Sequence, residues 1–264
     1  MHRITPLVKY LIIINVIIFV ATEFLKVGLI SHLALYYPGS ELFRPYQLVS
    51  YMFMHGGVFH IFFNMYALWL FGSAIEYDWG GKRFLFYFFF TGIGAAILHL
   101  FVNYLEYSKI AASITAFQNS PTPELFIQFI NKHKSGFRAE FISNCYELYD
   151  NWSQTPDNDF FAMNATAYMR GILNAKMNIP TVGASGAVYG ILLAFGMMYP
   201  NAQLMLLIPP MPVKAKWLVI VYGGIALFMG LSRPGSNIAH FAHLGGMLFG
   251  FILIKFWIAQ ANRR

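Results

Sequence analysis

Three stretches set chemically capable side chains among apolar ones. The first reads His55-Gly56-Gly57-Val58-Phe59-His60-Ile61-Phe62-Phe63-Asn64, the second Gly183-Ala184-Ser185-Gly186-Ala187-Val188-Tyr189-Gly190, and the third Ala242-His243-Leu244-Gly245-Gly246. A serine hydroxyl is a weak nucleophile until a base takes its proton, and imidazole has a suitable proton affinity. Ser185 and His243 are therefore read as nucleophile and general base of acyl transfer. His60 and Asn64 are four apart and share a helical face, where they offer N–H donors to a developing oxyanion. No Asp or Glu lies in the second or third stretch, which predicts a Ser–His dyad rather than an acid-oriented triad. Tyr189 stands one turn below Ser185, placed to stack on the His243 ring. Gly183, Gly186 and Gly190 recur at helical spacing, as do His243, Gly246 and Gly250. Small faces of this kind let two backbones approach closely, and docking them brings Ser185 to His243.

These residues need elements that hold them in an apolar medium. The chain has 264 residues, 58% hydrophobic and 11% charged, with mean hydropathy +0.54. Soluble domains carry about 25% charged residues, so a disordered chain is excluded and an ordinary soluble enzyme is disfavoured. Apolar runs and breakers delimit six predicted spans at 7–27, 47–75, 84–104, 180–199, 216–232 and 238–258. About 20 residues cross the ~30 Å hydrocarbon layer, which gives a polytopic helical membrane protein. The first run lacks an evident A-x-A site and is read as a retained helix rather than a signal peptide. Ser185 falls about five residues into its predicted span and His243 about six, so both sit at similar depth. Residues 105–178 break the pattern: they hold seven of the eleven acids and short amphipathic segments around Phe126, Phe129, Phe137 and Phe141. They predict a small helical subdomain inserted between 1–104 and 179–264, outside the membrane.

The formal charge of +7 follows from orientation. With the N-terminus inside, inner segments carry Arg3, Lys9, Lys82, Arg83, Lys214, Lys216, Lys255, Arg263 and Arg264. The short outer loops carry Lys26, Arg44 and Arg233. Cytoplasmic loops concentrate Lys and Arg, so both termini are predicted inside and no nucleic-acid partner is needed. Cys145 is the single cysteine, which excludes an intramolecular disulfide and a multi-cysteine metal cluster.

The motifs taken together resemble the rhomboid intramembrane serine proteases. Gly183-Ala184-Ser185-Gly186 is similar to their G-x-S-G, Ala242-His243-Leu244-Gly245-Gly246 to their A-H-x-x-G, and His55, His60 and Asn64 to their H-x₄-H-x₃-N. The resemblance covers all six spans. It implies an all-α, six-helix rhomboid bundle in which Ser185 is the nucleophile, His243 the base, and His60, Asn64 and the Ser185 N–H the oxyanion donors. It also implies that Tyr189 holds the His243 ring and that the loop after span one is embedded in the membrane. Phe43-Arg44 stands where the family often has Trp-Arg, and the 105–178 insertion departs from the short connection of the best-known members. The substrates so implied are single-span membrane proteins with easily unwound helices and small residues at the scissile bond. No metal or organic cofactor is implied.

Other readings of the same residues bound this one. His55 is assigned a supporting role bonding the first loop, His240 a rim position, and Glu76 an interfacial salt bridge beside Asp78, Lys82 and Arg83. Zinc is disfavoured because H-E-x-x-H is absent and His55 and His60 are five apart, off a common face. A catalytically inactive rhomboid-like binder of membrane proteins, or a small transporter, is the rival class. The insertion could cap the site, gate substrates or bind a partner. The segments around Pro200-Asn201-Ala202 and Pro209-Pro210-Met211-Pro212 suggest a bacterial inner membrane.

Overall fold

The computed structural model describes residues 3–156, 158–205, 211–232 and 240–263. Arg233, Arg264, Pro209, Pro210 and positions 238–239 of the sixth predicted span lie outside them. The chain forms two compact units, Met1–Val102 with Pro180–Arg264, and Asn103–Ile179.

The first unit opens with α1 (Pro6–Glu23). Proline suits the first helical turn, where its missing N–H has no intrahelical partner. The remaining orphan donors are met from a distance: the Glu76 carboxylate accepts from the N–H groups of Leu7 at 3.0 Å and Val8 at 2.9 Å, and from the Thr5 hydroxyl. Glu76 is buried and forms no ion pair among the described residues, so the expected interfacial salt bridge is replaced by a helix cap supplied in trans. The following loop holds two one-turn helices, α2 (Ile30–Leu33) and α3 (Gln47–Ser50). Gln47, fully buried, organises it. Its amide NH2 donates to the carbonyls of His32 and Leu42, and its oxygen accepts from the N–H groups of Tyr36 and Arg44.

The second predicted span begins later than expected. Gly56-Gly57 interrupts it, and the continuous helix runs Val58–Trp79, comprising α4 (Val58–Ala67), a π-helical turn at Leu68–Gly72 and α5 (Ser73–Trp79). The third is far longer than predicted: α6 (Gly81–Asn119) has 39 residues, about 58 Å at helical rise and nearly twice the hydrocarbon thickness. Polar residues from Asn103 onward ended the apolar pattern without ending the helix, since no Pro or Gly falls between Asn103 and Asn119.

Among the described residues, five helices are long and apolar enough to cross a bilayer: α1, Val58–Trp79, α6, and, later in the chain, α11 (Ala215–Ser232) and α12 (His240–Ala261). The remaining apolar helix, α10 (Ser185–Met198), has 14 residues, about 21 Å. Nine of its residues are buried, as expected of a helix apolar on every side at the centre of a bundle. A two-stranded hairpin, β1 (Gln203–Met205) against β2 (Pro212–Lys214), stands between α10 and α11; the sequence reading held no strand.

The second unit contains the later part of α6 with α7 (Pro123–His133), α8 (Ala139–Gln154) and α9 (Asp159–Met177). The Thr122 hydroxyl caps α7 by accepting from the Leu125 N–H at 3.2 Å, the usual task of an N-cap threonine. The apolar stripes close a separate core of Ile114, Phe117, Phe126, Ile130, Trp152 and Met169, with Cys145 fully buried inside it.

Candidate active site

The backbone around Ser185 departs from the predicted span in a way that matters chemically. Ser185 is the first residue of α10 rather than five residues into a helix, and Ala184 before it turns into the helix with φ −71° and ψ −6°. Gly183 adopts φ +125°, a conformation that glycine accepts without strain. A Cβ there would also lie 2.8 Å from the His60 ring. The approach to the serine is clamped from several sides. Thr181 exchanges two backbone hydrogen bonds with Leu35 of the first loop, at 2.8 and 2.9 Å, and the Gly183 N–H donates to the Tyr51 carbonyl at 2.9 Å. The Thr181 hydroxyl bonds the His99 Nε2 at 2.9 Å. At the first position of a helix, the Ser185 N–H is one of the four donors without an intrahelical acceptor, at the positive end of the helix dipole.

Across from it, His243 Nε2 lies 2.8 Å from Ser185 Oγ. The Tyr189 ring stacks on the His243 ring at 4.2 Å between centroids with 6° between planes. No carboxylate bonds the His243 ring among the described residues, so packing orients it. The close helix approach behind this pairing comes from Gly246, where a Cβ would stand 1.8 Å from the Gly186 carbonyl oxygen. The glycine faces do not dock only on each other. A Cβ at Gly186 would meet Ala95, one at Gly190 would meet Thr91, and one at Gly250 the Tyr87 hydroxyl. All three partners belong to α6, so three helices converge where two were expected. Tyr87 seals the junction by donating to the Gly190 carbonyl at 2.8 Å.

His60 reaches the site from α4. Its Nδ1 accepts from the Gly56 N–H at 3.4 Å, which leaves the proton of the neutral ring on Nε2, the atom beside Gly183. Asn64, buried one turn further on, donates one amide hydrogen to the His60 carbonyl at 2.9 Å; an amide NH2 has a second to give. His55 is buried and meets the His60 ring edge-on at 5.0 Å. The hydrogen bond expected from it to the first loop is not formed among the described residues. His240 is buried rather than on the rim, its ring edge-on to His243 at 6.3 Å.

Sequence reasoning passed over Gln47, Thr181 and His99. For His99 a signal existed, since an ionisable side chain inside an apolar span is a functional candidate by default. For Gln47 and Thr181, uncharged residues at the starts of predicted spans, spacing carried none.

With the geometry in hand, the comparisons add kinship. The rhomboid domain model matches residues 42–117 and 160–260, passing over 118–159. The chain is 32% identical over 82 residues to "Rhomboid protein 1, mitochondrial" of Saccharomyces cerevisiae, covering 31% of this chain and 23% of that protein. It is 31% identical over 107 residues to "Rhomboid-like protein 11, chloroplastic" of Arabidopsis thaliana, covering 40% of this chain and 36% of that one. The matched region therefore spans well under half the length of either relative.

Proposed function

The chain belongs to the rhomboid family, and from that premise we propose that it is an intramembrane serine endopeptidase acting through a Ser185–His243 dyad. The observation that carries the reading is the 2.8 Å contact between Ser185 Oγ and His243 Nε2, within the range a general base needs. As Ser185 Oγ attacks a substrate carbonyl carbon, its proton passes to His243 Nε2. The carbonyl oxygen becomes an oxyanion, met by the Ser185 N–H, His60 Nε2–H and the Asn64 amide. Collapse breaks the C–N bond, and the amine leaves with the proton from His243. A water then gives a proton to His243 and attacks the acyl-enzyme, releasing the acid and restoring Ser185.

The substrates are transmembrane proteins cleaved in or near their membrane segments. A helical carbonyl is hydrogen-bonded and shielded, so segments that unwind easily are preferred. The Lys and Arg distribution supports cytoplasmic termini, with the site opening toward the outer face and 105–178 as an extracytoplasmic subdomain. No cofactor takes part.

The test is labelling of the purified chain in mild detergent by a fluorophosphonate probe. We expect stoichiometric modification that is lost in Ser185→Ala and His243→Ala while the thermal transition stays nearly unchanged. Absence of Ser185-dependent labelling in folded protein would instead support a non-catalytic binder of membrane proteins.

A further inference from the structure

About 24 Å along α6 from His99, two cations stand at the helix start. Lys82 and Arg83 form no ion pair among the described residues. Both are exposed, and with Phe86, Trp257, Gln260 and Ala261 they line a recess of about 590 Å3 in which no carboxylate lies among the described residues. The Arg83 guanidinium lies 4.1 Å from the centre of the Trp257 ring and 5.4 Å from that of Trp79, and the two indoles meet edge-on at 5.3 Å. Stacking of this kind restrains a long side chain while leaving its N–H fork available for an oxyanion.

The recess continues into an apolar strip. Phe86 lies 6.4 Å from Trp257 and stacks on Phe90 at 5.9 Å, and Phe90 meets Phe249 at 5.9 Å. Trp257 and Phe249 are eight residues apart on α12, so the strip runs about 12 Å toward the middle of the membrane. Phe86 is 56% exposed, open to whatever covers that face. A cationic head continuous with a long apolar groove, at a tryptophan-bearing end of two membrane helices, matches an amphiphile with an anionic head. A water-soluble anion would leave the aromatic strip unused.

We propose that this recess binds the phosphate head of an anionic phospholipid, with an acyl chain lying along Phe86, Phe90 and Phe249. The site is independent of the chemistry at Ser185 and holds whether or not the chain is a protease.

The experiment uses the full chain in phosphatidylcholine nanodiscs carrying, at equal mole fraction, either brominated phosphatidylcholine or brominated phosphatidylglycerol, with tryptophan fluorescence as readout. One basic side chain at an anionic surface favours a lipid of opposite charge about fivefold, so quenching should reach half-maximum at several-fold less of the anionic lipid. Lys82→Gln with Arg83→Gln should abolish that preference, whereas Lys214→Gln with Lys216→Gln, the same loss of charge elsewhere, should preserve it. Equal quenching by the two lipids, or equal loss in both double variants, overturns the site in favour of diffuse attraction. Loss of the preference on adding millimolar inorganic phosphate overturns the lipid in favour of a free anion. Should the first pair fail to fold, Lys82→Gln alone, on the exposed rim, must lower the preference or the proposal falls.

Discussion

At the scale of the residue, a stacked tyrosine, with no carboxylate among the described residues, orients the His243 ring, and this has measurable consequences. Tyr189→Phe keeps the ring and should leave the fluorophosphonate labelling rate within a factor of about two, while Tyr189→Ala should lower it by roughly two orders of magnitude, the scale associated with a misplaced catalytic group. On the proposed mechanism, His60→Ala and Asn64→Ala should each lower kcat by about 10²–10³ with KM little changed, as expected of donors used in the transition state. His99→Ala removes the partner of the Thr181 hydroxyl in the segment leading to Ser185; on the proposed mechanism, a lower kcat, partly restored in His99→Gln, is expected in a steady-state cleavage assay. The pairing of Ser185 with His243 was legible because both stood at similar depth in apolar runs, and the Tyr189 stack because i and i+4 share a face. The hydrogen bond between His99 and Thr181 joins residues 82 apart, and no local pattern reports such a partner.

At the scale of the element, helix contacts depend on missing side chains. Gly246→Ala would drive a methyl group into the Gly186 carbonyl, a backbone atom that cannot swing aside. Overpacking of this kind costs about 1–3 kcal/mol or more, and a lowered thermal transition in detergent, with Ser185 labelling lost in parallel, is the expected result. Glu76→Ala should leave the N–H groups of Leu7 and Val8 unmet. Hydrogen bonds to a charged group contribute about 1.5–3 kcal/mol, and faster hydrogen exchange confined to the start of α1 would report the loss. Glycine spacing announced a close helix approach, but α6 joins it as a third member through Ala95, Thr91 and Tyr87, residues distant in sequence from both glycine faces. The length of α6 escaped notice because apolar periodicity marks where a helix is buried, not where its backbone hydrogen bonding stops.

At the scale of the whole molecule, the two units carry separate cores, and the residues described around Ser185 belong to the first. Replacing 120–158 with a short Gly/Ser linker should therefore preserve Ser185-dependent labelling, measured by the same probe. The second unit has its own response to acid. Burial, with Lys176 and Lys132 nearby, lowers the His133 pKa from its ordinary 6.5 to about 4. The folded unit thus resists taking up a proton that the unfolded chain accepts. The stability so contributed is present in full above pH 6.5 and is lost as pH falls toward 4. Trp152 is the sole tryptophan of residues 103–179, and its emission should shift across that window in wild type and much less in His133→Gln. The composition changes near residue 105 and a compact unit begins at Asn103, whereas the fold of that unit rests on contacts among four helices that no window of sequence displays.

Burial lifts the Cys145 thiol to about 11, so the only native sulfhydryl is both enclosed and protonated at neutral pH. The wild-type chain can thus serve as its own blank for maleimide chemistry. A cysteine introduced at Lys82, or at Ser120, would be the one that reacts, and the side of the bilayer from which an impermeant reagent finds it would assign the sidedness of each loop without first engineering a thiol-free parent.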